Sequence, residues 1–166
     1  MRSSDNSSVN KSYTASASLK RLQQMSYVLD RAIAIPGSNI RVGLDPILGL
    51  LPGGGDVVTG LLSVYIVFEA AKMGLPAQTL GRMGGNILLD VLSGMVPVLG
   101  DVFDVSWKAN SQNVALIEKH LAAPTPSRAA DTVVAIIVIV GLVTLVIGIA
   151  ALSAWVFGQV WTWLFR

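Results

Sequence analysis

The chain has no cysteine and a single histidine, His120. The first absence excludes disulfides, thiolate metal sites and cysteine nucleophiles. The second excludes a His-rich metal centre or a multi-histidine catalytic array. Charge is also scarce. Only 13% of the 166 residues are Asp, Glu, Lys or Arg, about half of the roughly 25% usual in soluble domains. Twelve basic and ten acidic residues leave a formal +2, too small an excess to indicate nucleic acid. The segment Gly53-Gly54-Gly55-Asp56 lacks the Lys-Ser/Thr of a phosphate loop, and no G-x-S-x-G elbow or metal-ligand spacing occurs. The expectation is a protein that is not an enzyme, with no catalytic residues, no metal, no cofactor and no nucleic-acid partner.

What is present is apolar: 52% of residues are hydrophobic, and the mean hydropathy is +0.62. This composition points to a small, all-α integral membrane protein. The longest uncharged run, Thr132 to Phe165, covers 34 residues, well beyond the roughly 20 a membrane-spanning helix needs. A span near Val133 to Phe157 follows. Trp155, Trp161, Trp163 and Arg166 suit an interfacial belt, and the excess length implies tilt or a terminal turn among headgroups. Ala150, Ala154 and Gly158 form a small-residue stripe suited to close helix packing.

At the other end, residues 1–18 are rich in Ser and Asn and read as a disordered tail. Residues 19–35 read as a helix, with Leu22, Met25, Leu29 and Ala32 on one stripe, Val28 and Ile33 widening it, and Lys20, Arg21 and Arg31 off it. Such a helix either docks on the rest of the protein or lies on an anionic membrane surface. Pro36-Gly37 ends it. From Met1 to Arg41 six basic residues face two acidic ones, which places this end in the cytoplasm.

The most informative feature is an internal duplication. Residues 44–57 read LDPILGLLPGGGDV and residues 89–102 read LDVLSGMVPVLGDV, at a constant offset of 45 residues. Seven of the fourteen positions are identical, where chance gives roughly one. The shared pattern is LD-x3-G-x2-P-x2-GDV. Pro52 and Pro97 disfavour helix in the residue before them. Gly53, Gly54 and Gly55 allow a tight reversal with positive φ, and Gly100 matches Gly55 in the second copy. Asp56 and Asp101 stand where a following helix begins. Asp45, followed by Pro46, also fits a helix start. Asp45, Asp56, Asp90 and Asp101 therefore have two readings: helix caps at two or more of them, or side chains that line a polar path through the membrane or bind a cation.

The flanking apolar segments, 42–51 and 57–71, are about 15 and 22 Å long as helices, too short to cross a core of roughly 30 Å unaided. They read as re-entrant or broken helices. A third stretch, 77–96, is interrupted at Gly84-Gly85, with Asn86 as a second cap. Glu69 and Lys72 read as a surface ion pair, and Thr59, Gly60 and Ser63 as a small-residue packing face. After Asp101, the residues Phe103, Trp107, Asn110, Val114, Ile117 and Leu121 recur at spacings of 3 and 4, giving an amphipathic helix with one polar member, Asn110, on its seam. Asp104, Lys108, Ser111, Gln112, Glu118 and Lys119 lie on the opposite face. Residues 124–131, beginning Pro124-Thr125-Pro126-Ser127, read as a linker.

The stretches LDRAIAIPGSNIRVGLDPILGLLPGGGDVVTG and VLSGMVPVLGDVFDVSWKAN resemble a bacterial family known as domain of unknown function 4112, over about Leu29 to Leu121. The resemblance implies a small bacterial membrane protein and supplies no activity, substrate or catalytic residue.

The resulting expectation is a disordered tail (1–18), a duplicated helical membrane domain of two hairpins with Pro/Gly breaks (19–123), a linker (124–131) and a transmembrane helix with an interfacial end (132–166). Its partners are membrane lipid and either further copies or a membrane-protein complex, in a bacterial inner membrane or its equivalent. If each hairpin returns to its starting side, the C-terminus lies outside. Two functions fit: a non-enzymatic scaffold or accessory subunit acting through helix contacts, or a small oligomeric channel or transporter using the duplicated breaks.

Overall fold

The computed structural model describes residues 3–34, 41–43, 55–94, 108–124 and 129–165. They form five helices: α1 (Ser3–Arg31), α2 (Gly55–Lys72), α3 (Ala77–Gly94), α4 (Ala109–Ala122) and α5 (Ala129–Leu164). A two-residue antiparallel pair joins β1 (Ile33–Ala34) to β2 (Arg41–Val42), in the register Ile33 to Val42 and Ala34 to Arg41.

Helix α1 differs from expectation at both ends. It starts at Ser3, inside the stretch expected to be disordered, and stops at Arg31. No Gly or Pro occurs between these residues, so nothing in the backbone stops helix propagation through the Ser- and Asn-rich part. Leu22 and Leu29 are buried as expected, but Val28 and Ile33 are exposed. The buried face instead includes Ser18, Ser26 and Asp30. Ser18 and Ser26 bond within α1, to Arg21 and to the Gln23 carbonyl, and Asp30 meets polar partners on α4, described below.

Helices α2 and α3 are antiparallel neighbours joined by a Gly-containing turn. Gly74 has φ +82°, a conformation only glycine adopts without strain. Its N–H donates to Ala71 O at 3.0 Å and Leu75 N–H donates to Ala70 O at 3.2 Å, closing α2 as a Schellman motif with the buried Leu75 as its apolar plug. Pro76 O then accepts from Thr79 and Leu80 N–H, which starts α3. This helix runs through Gly84-Gly85 without interruption. The isolated pair lacks the Pro that would remove a backbone donor, and each glycine costs only about 1 kcal/mol in a helix.

The helices stack in three layers. Helices α2 and α3 form the middle one. Helix α5 packs on one side of it, and α4 and α1 on the other. The core joins Leu22 of α1, Ile66 and Val67 of α2, Met83 of α3 and Ile117 of α4. Only the first half of α5 contributes, through Ala135, Leu142 and Val146. Close approach depends on Gly60: a Cβ there would lie 2.8 Å from Val146 Cγ2. The small-residue face expected around Thr59, Gly60 and Ser63 is thus a helix contact, with Thr59 and Ser63 buried beside it. Beyond Leu152 every described residue of α5 is exposed.

Replacing Gly60 by Leu drives a side chain into Val146. Overpacking of this kind costs about 1–3 kcal/mol, and limited proteolysis should show α5 released from the middle layer. Gly74→Ala meets open space, so it should lower stability only by its backbone strain, about 1 kcal/mol, with α5 still protected.

Candidate functional site

The interior on the α1–α4 side is polar. Asp30, buried at the end of α1, accepts from Asn110 Nδ2 at 2.9 Å and from the Ser111 backbone N–H at 2.6 Å. Ser111 lies in the first turn of α4, whose N-cap residue Lys108 makes no side-chain capping bond. The carboxylate of one helix therefore serves as the missing cap of another, where the free N–H groups and the dipole favour negative charge. Lys108 Nζ completes the exchange by donating to the Asp30 backbone carbonyl at 2.7 Å, one of the last carbonyls of α1. Each helix thus satisfies the open end of the other.

Close contact makes this arrangement possible. Gly43, just after β2, is buried against the last turn of α1. A Cβ on it would overlap the Leu29 carbonyl and approach Asp30 Cα to 2.8 Å, so no side chain fits there. Asn110 is fully buried, and its Oδ1 has no hydrogen-bond partner among the described residues. The carboxylate opposite requires the amide to present its NH2.

A second amide contact ties α3 to α4. Asn86 Nδ2 donates to Asn113 Oδ1 at 2.8 Å, and Asn113 Nδ2 donates to Met83 O at 3.2 Å. Asn86 is therefore a cross-helix bonding residue in mid-helix rather than a second cap. On α2, Glu69 is buried while its partner Lys72 is exposed, 2.7 Å away, and Arg21 of α1 stands 4.0 Å from the same carboxylate. The pair expected there forms, but its Glu69 end is buried, because Glu69 lies on the face of α2 that turns inward. Asp131, expected in a linker, is helical and accepts from the Ala77 backbone N–H at 3.1 Å, so the start of α3 is also capped from another helix.

The motif residues singled out by the duplication are distributed differently. Asp45, Pro52, Pro97, Gly100 and Asp101 lie outside the described residues, as do Phe103 and Trp107 of the amphipathic seam. Gly55 and Asp56 are the first two residues of α2. Asp90 lies inside α3, half-buried, so it does not cap the start of that helix. The described hairpin, α2–α3, connects the two copies of the repeat instead of falling within one. Of the seam, Asn110, Val114 and Ile117 are buried. On α5, Ala150 is half-buried and Ala154 and Gly158 are exposed, with no heavy atom near a Cβ built on Gly158.

The residues that organise this interior are Asp30, Asn113, Glu69 and Asp131. Periodicity passed over Asp30, Asn113 and Asp131 because each acts on another helix, and a cap supplied from a distant helix leaves no local pattern. Glu69, which its spacing to Lys72 did single out, pairs on its own helix and stands 4.0 Å from Arg21 of α1. Among the described residues no group of three or more His, Asp or Glu converges as a metal site. Chemically, the arrangement fixes helix ends and helix register.

Replacing Asp30 by Ala leaves the buried Asn110 Nδ2 and the part-buried Ser111 N–H without their acceptor. Unsatisfied buried groups cost about 1–3 kcal/mol each, so thermal melting of the full chain in mild detergent should show a loss of several kcal/mol. In a double-mutant cycle, Asp30→Ala and Asn110→Ala should couple by at least about 0.5 kcal/mol. Additive losses would show that the two side chains do not act together. Gly43→Ala should weaken the same clasp although it removes no hydrogen bond.

Comparison with known proteins supplies context for this bundle. An uncharacterised membrane protein of Saccharomyces cerevisiae is 34% identical over 82 residues, which are 46% of this chain and 32% of the relative. The matched stretch thus spans about a third of that relative's length, and the likeness is not confined to bacteria. No solved structure matches the chain. The family model described as a domain of unknown function (DUF4112) matches residues 18–121, from the middle of α1 to the end of α4. The chain with the clasped α1–α4 bundle belongs to this family.

Proposed function

We propose that the chain is a membrane-embedded, non-enzymatic scaffold or accessory subunit that works through helix–helix contacts. The observation that carries this reading is the division of α5. Its first half packs on α2 and α3, while its second half leaves its own bundle, exposed on every side and uncharged through Phe165. Residues 131–164 form the one helix, among the described residues, long and apolar enough to cross a membrane, and 17% of its most apolar window is buried within the protein. Lipid or another helix suits such a surface.

Details of α5 fit an apolar surround. The hydroxyls of Thr144 and Thr162 donate to the carbonyls of Val140 and Gln159 within the helix, which satisfies them without water. Phe157, Trp161 and Phe165 stack successively, with centroids 6.0 and 4.4 Å apart, in keeping with an interfacial aromatic end. The buried carboxylate of Asp30 is bound by Asn110 and Ser111 and that of Glu69 by the exposed Lys72, which favours a packing role for them over ion passage.

In this reading Ala154 and Gly158 provide the close-contact face. Light scattering and intact-complex mass spectrometry of the full chain in mild detergent should find it in a complex with copies of itself or another membrane protein. Ala154→Leu with Gly158→Leu should dissolve that complex without lowering the melting temperature. A lone monomer under both measurements would reject the scaffold. The basic excess before the first strongly apolar segment supports a cytoplasmic N-terminus. The absence of native cysteine allows a clean test: Thr14→Cys should react with a membrane-impermeant maleimide only after the membrane is opened. Reaction in sealed cells would reverse the orientation.

A further inference from the structure

Helix α2 carries an exposed stripe at alternating spacings of 3 and 4: Val58, Leu61, Tyr65, Phe68 and then Lys72. The four apolar members are 37–51% exposed, and the Lys72 side chain is 59% exposed. From Val58 to Phe68 the stripe is about 15 Å long, half of a hydrocarbon core of roughly 30 Å and so the depth of one leaflet. Its cationic end lies at the α2–α3 turn, the end where Ala77 N–H meets Asp131. The uncharged run of α5 begins at that same level.

Two cations converge there. Lys72 Nζ is held 2.7 Å from the buried Glu69 carboxylate and 5.4 Å from the Phe68 ring centroid. Arg21, whose side chain is 66% exposed, lies 4.0 Å from the same carboxylate. Glu69 balances one of the two charges, so Lys72, Arg21 and Glu69 together carry a net single positive charge. A buried anchor also limits how far Lys72 can wander, which lowers the cost of ordering it on a ligand.

We propose that this end of α2 binds one anionic phospholipid. Its phosphate lies between Lys72 and Arg21, and an acyl chain lies along Phe68, Tyr65, Leu61 and Val58. The charges match: one net positive site and one negative headgroup. The apolar stripe with a cation at only one end matches the polarity of a single lipid in a single leaflet. A soluble anion would use the cations and leave the stripe uncovered. The proposal rests on the membrane reading above and adds the lipid class.

Intact-complex mass spectrometry of the full chain in mild detergent, titrated with phosphatidylglycerol and with phosphatidylcholine of the same acyl chains, tests it. Phosphatidylglycerol should be retained preferentially, and excess inorganic phosphate should not displace it. Arg21→Gln, an exposed change that spares the core, should weaken phosphatidylglycerol about fivefold, and Arg21→Gln with Lys72→Gln about thirtyfold, from roughly one headgroup-level charge each. Phosphatidylcholine binding should not change. Arg31→Gln, ten residues further along α1, should have no effect, and Leu61→Asn should weaken both lipids alike.

Equal retention of the two lipids, undiminished phosphatidylglycerol binding in the double variant, or displacement by phosphate would overturn the proposal. So would a dimer that Leu61→Asn breaks while lipid binding persists, since a second copy would then occupy the stripe. Carbonate washing of membranes separates this outcome from failure of the membrane reading. A double variant that stays in the pellet without lipid preference supports the site, whereas wild-type chain released into the wash overturns both readings.

Discussion

The start of a helix exposes backbone N–H groups that need an acceptor from a side chain, water or another helix. In this protein the acceptors come from other helices. Asp30 at the end of α1 bonds to the first turn of α4, and Asp131 at the start of α5 bonds to the first residue of α3. The ends of α1 and α4 answer each other, because Lys108 returns a donor to the α1 carbonyl. This exchange sets where α1 crosses α4 and which face of α1 turns inward. It also explains why Ser26 and Asp30 are buried while Val28 is exposed. Gly43 serves the same contact by leaving the room it needs.

From that clasp the rest of the stack follows. Helix α4, fixed on α1, reaches α3 through the Asn113–Asn86 pair, and α3 is tied to α2 by the tight Gly74 turn. The middle layer then offers α5 a surface kept low by Gly60. The result is two-sided. Lys20, Arg31, Gln112, Glu118 and Lys119 lie exposed on the outer helices α1 and α4, while α2 and α5 carry exposed Val, Leu, Ile and Phe.

Several elements were legible because their causes are local. The bounds of α2 and α3 follow from Gly and Pro punctuation within a few residues. The burial of Val114 and Ile117 follows from helical periodicity, and the long apolar helix from composition alone. Other readings failed where a local signal was overruled or too weak. Gly84-Gly85 suggested a break, yet packing of α3 between α4 and α5 holds the helix straight through it. The Ser- and Asn-rich tail suggested disorder, yet nothing in it interrupts a helix already started at the better-patterned end. Glu69 and Lys72 suggested a solvated pair, since spacing cannot say which face of α2 is inside.

The sequence by itself determined that the chain is helical and apolar, that it carries a duplicated Pro-Gly-Asp motif, and that one segment is long enough for a bilayer. These depend on residue type and short-range spacing, which the chain states directly. Only the tertiary structure decided which carboxylates are structural, that half of α5 belongs to the bundle while half leaves it, and that Arg21 of α1 meets Lys72 of α2 at the buried Glu69. Those properties depend on which helices lie beside one another. Asp30 and Ser111 are 81 residues apart in the chain and 2.6 Å apart in the fold, and no local pattern encodes that meeting.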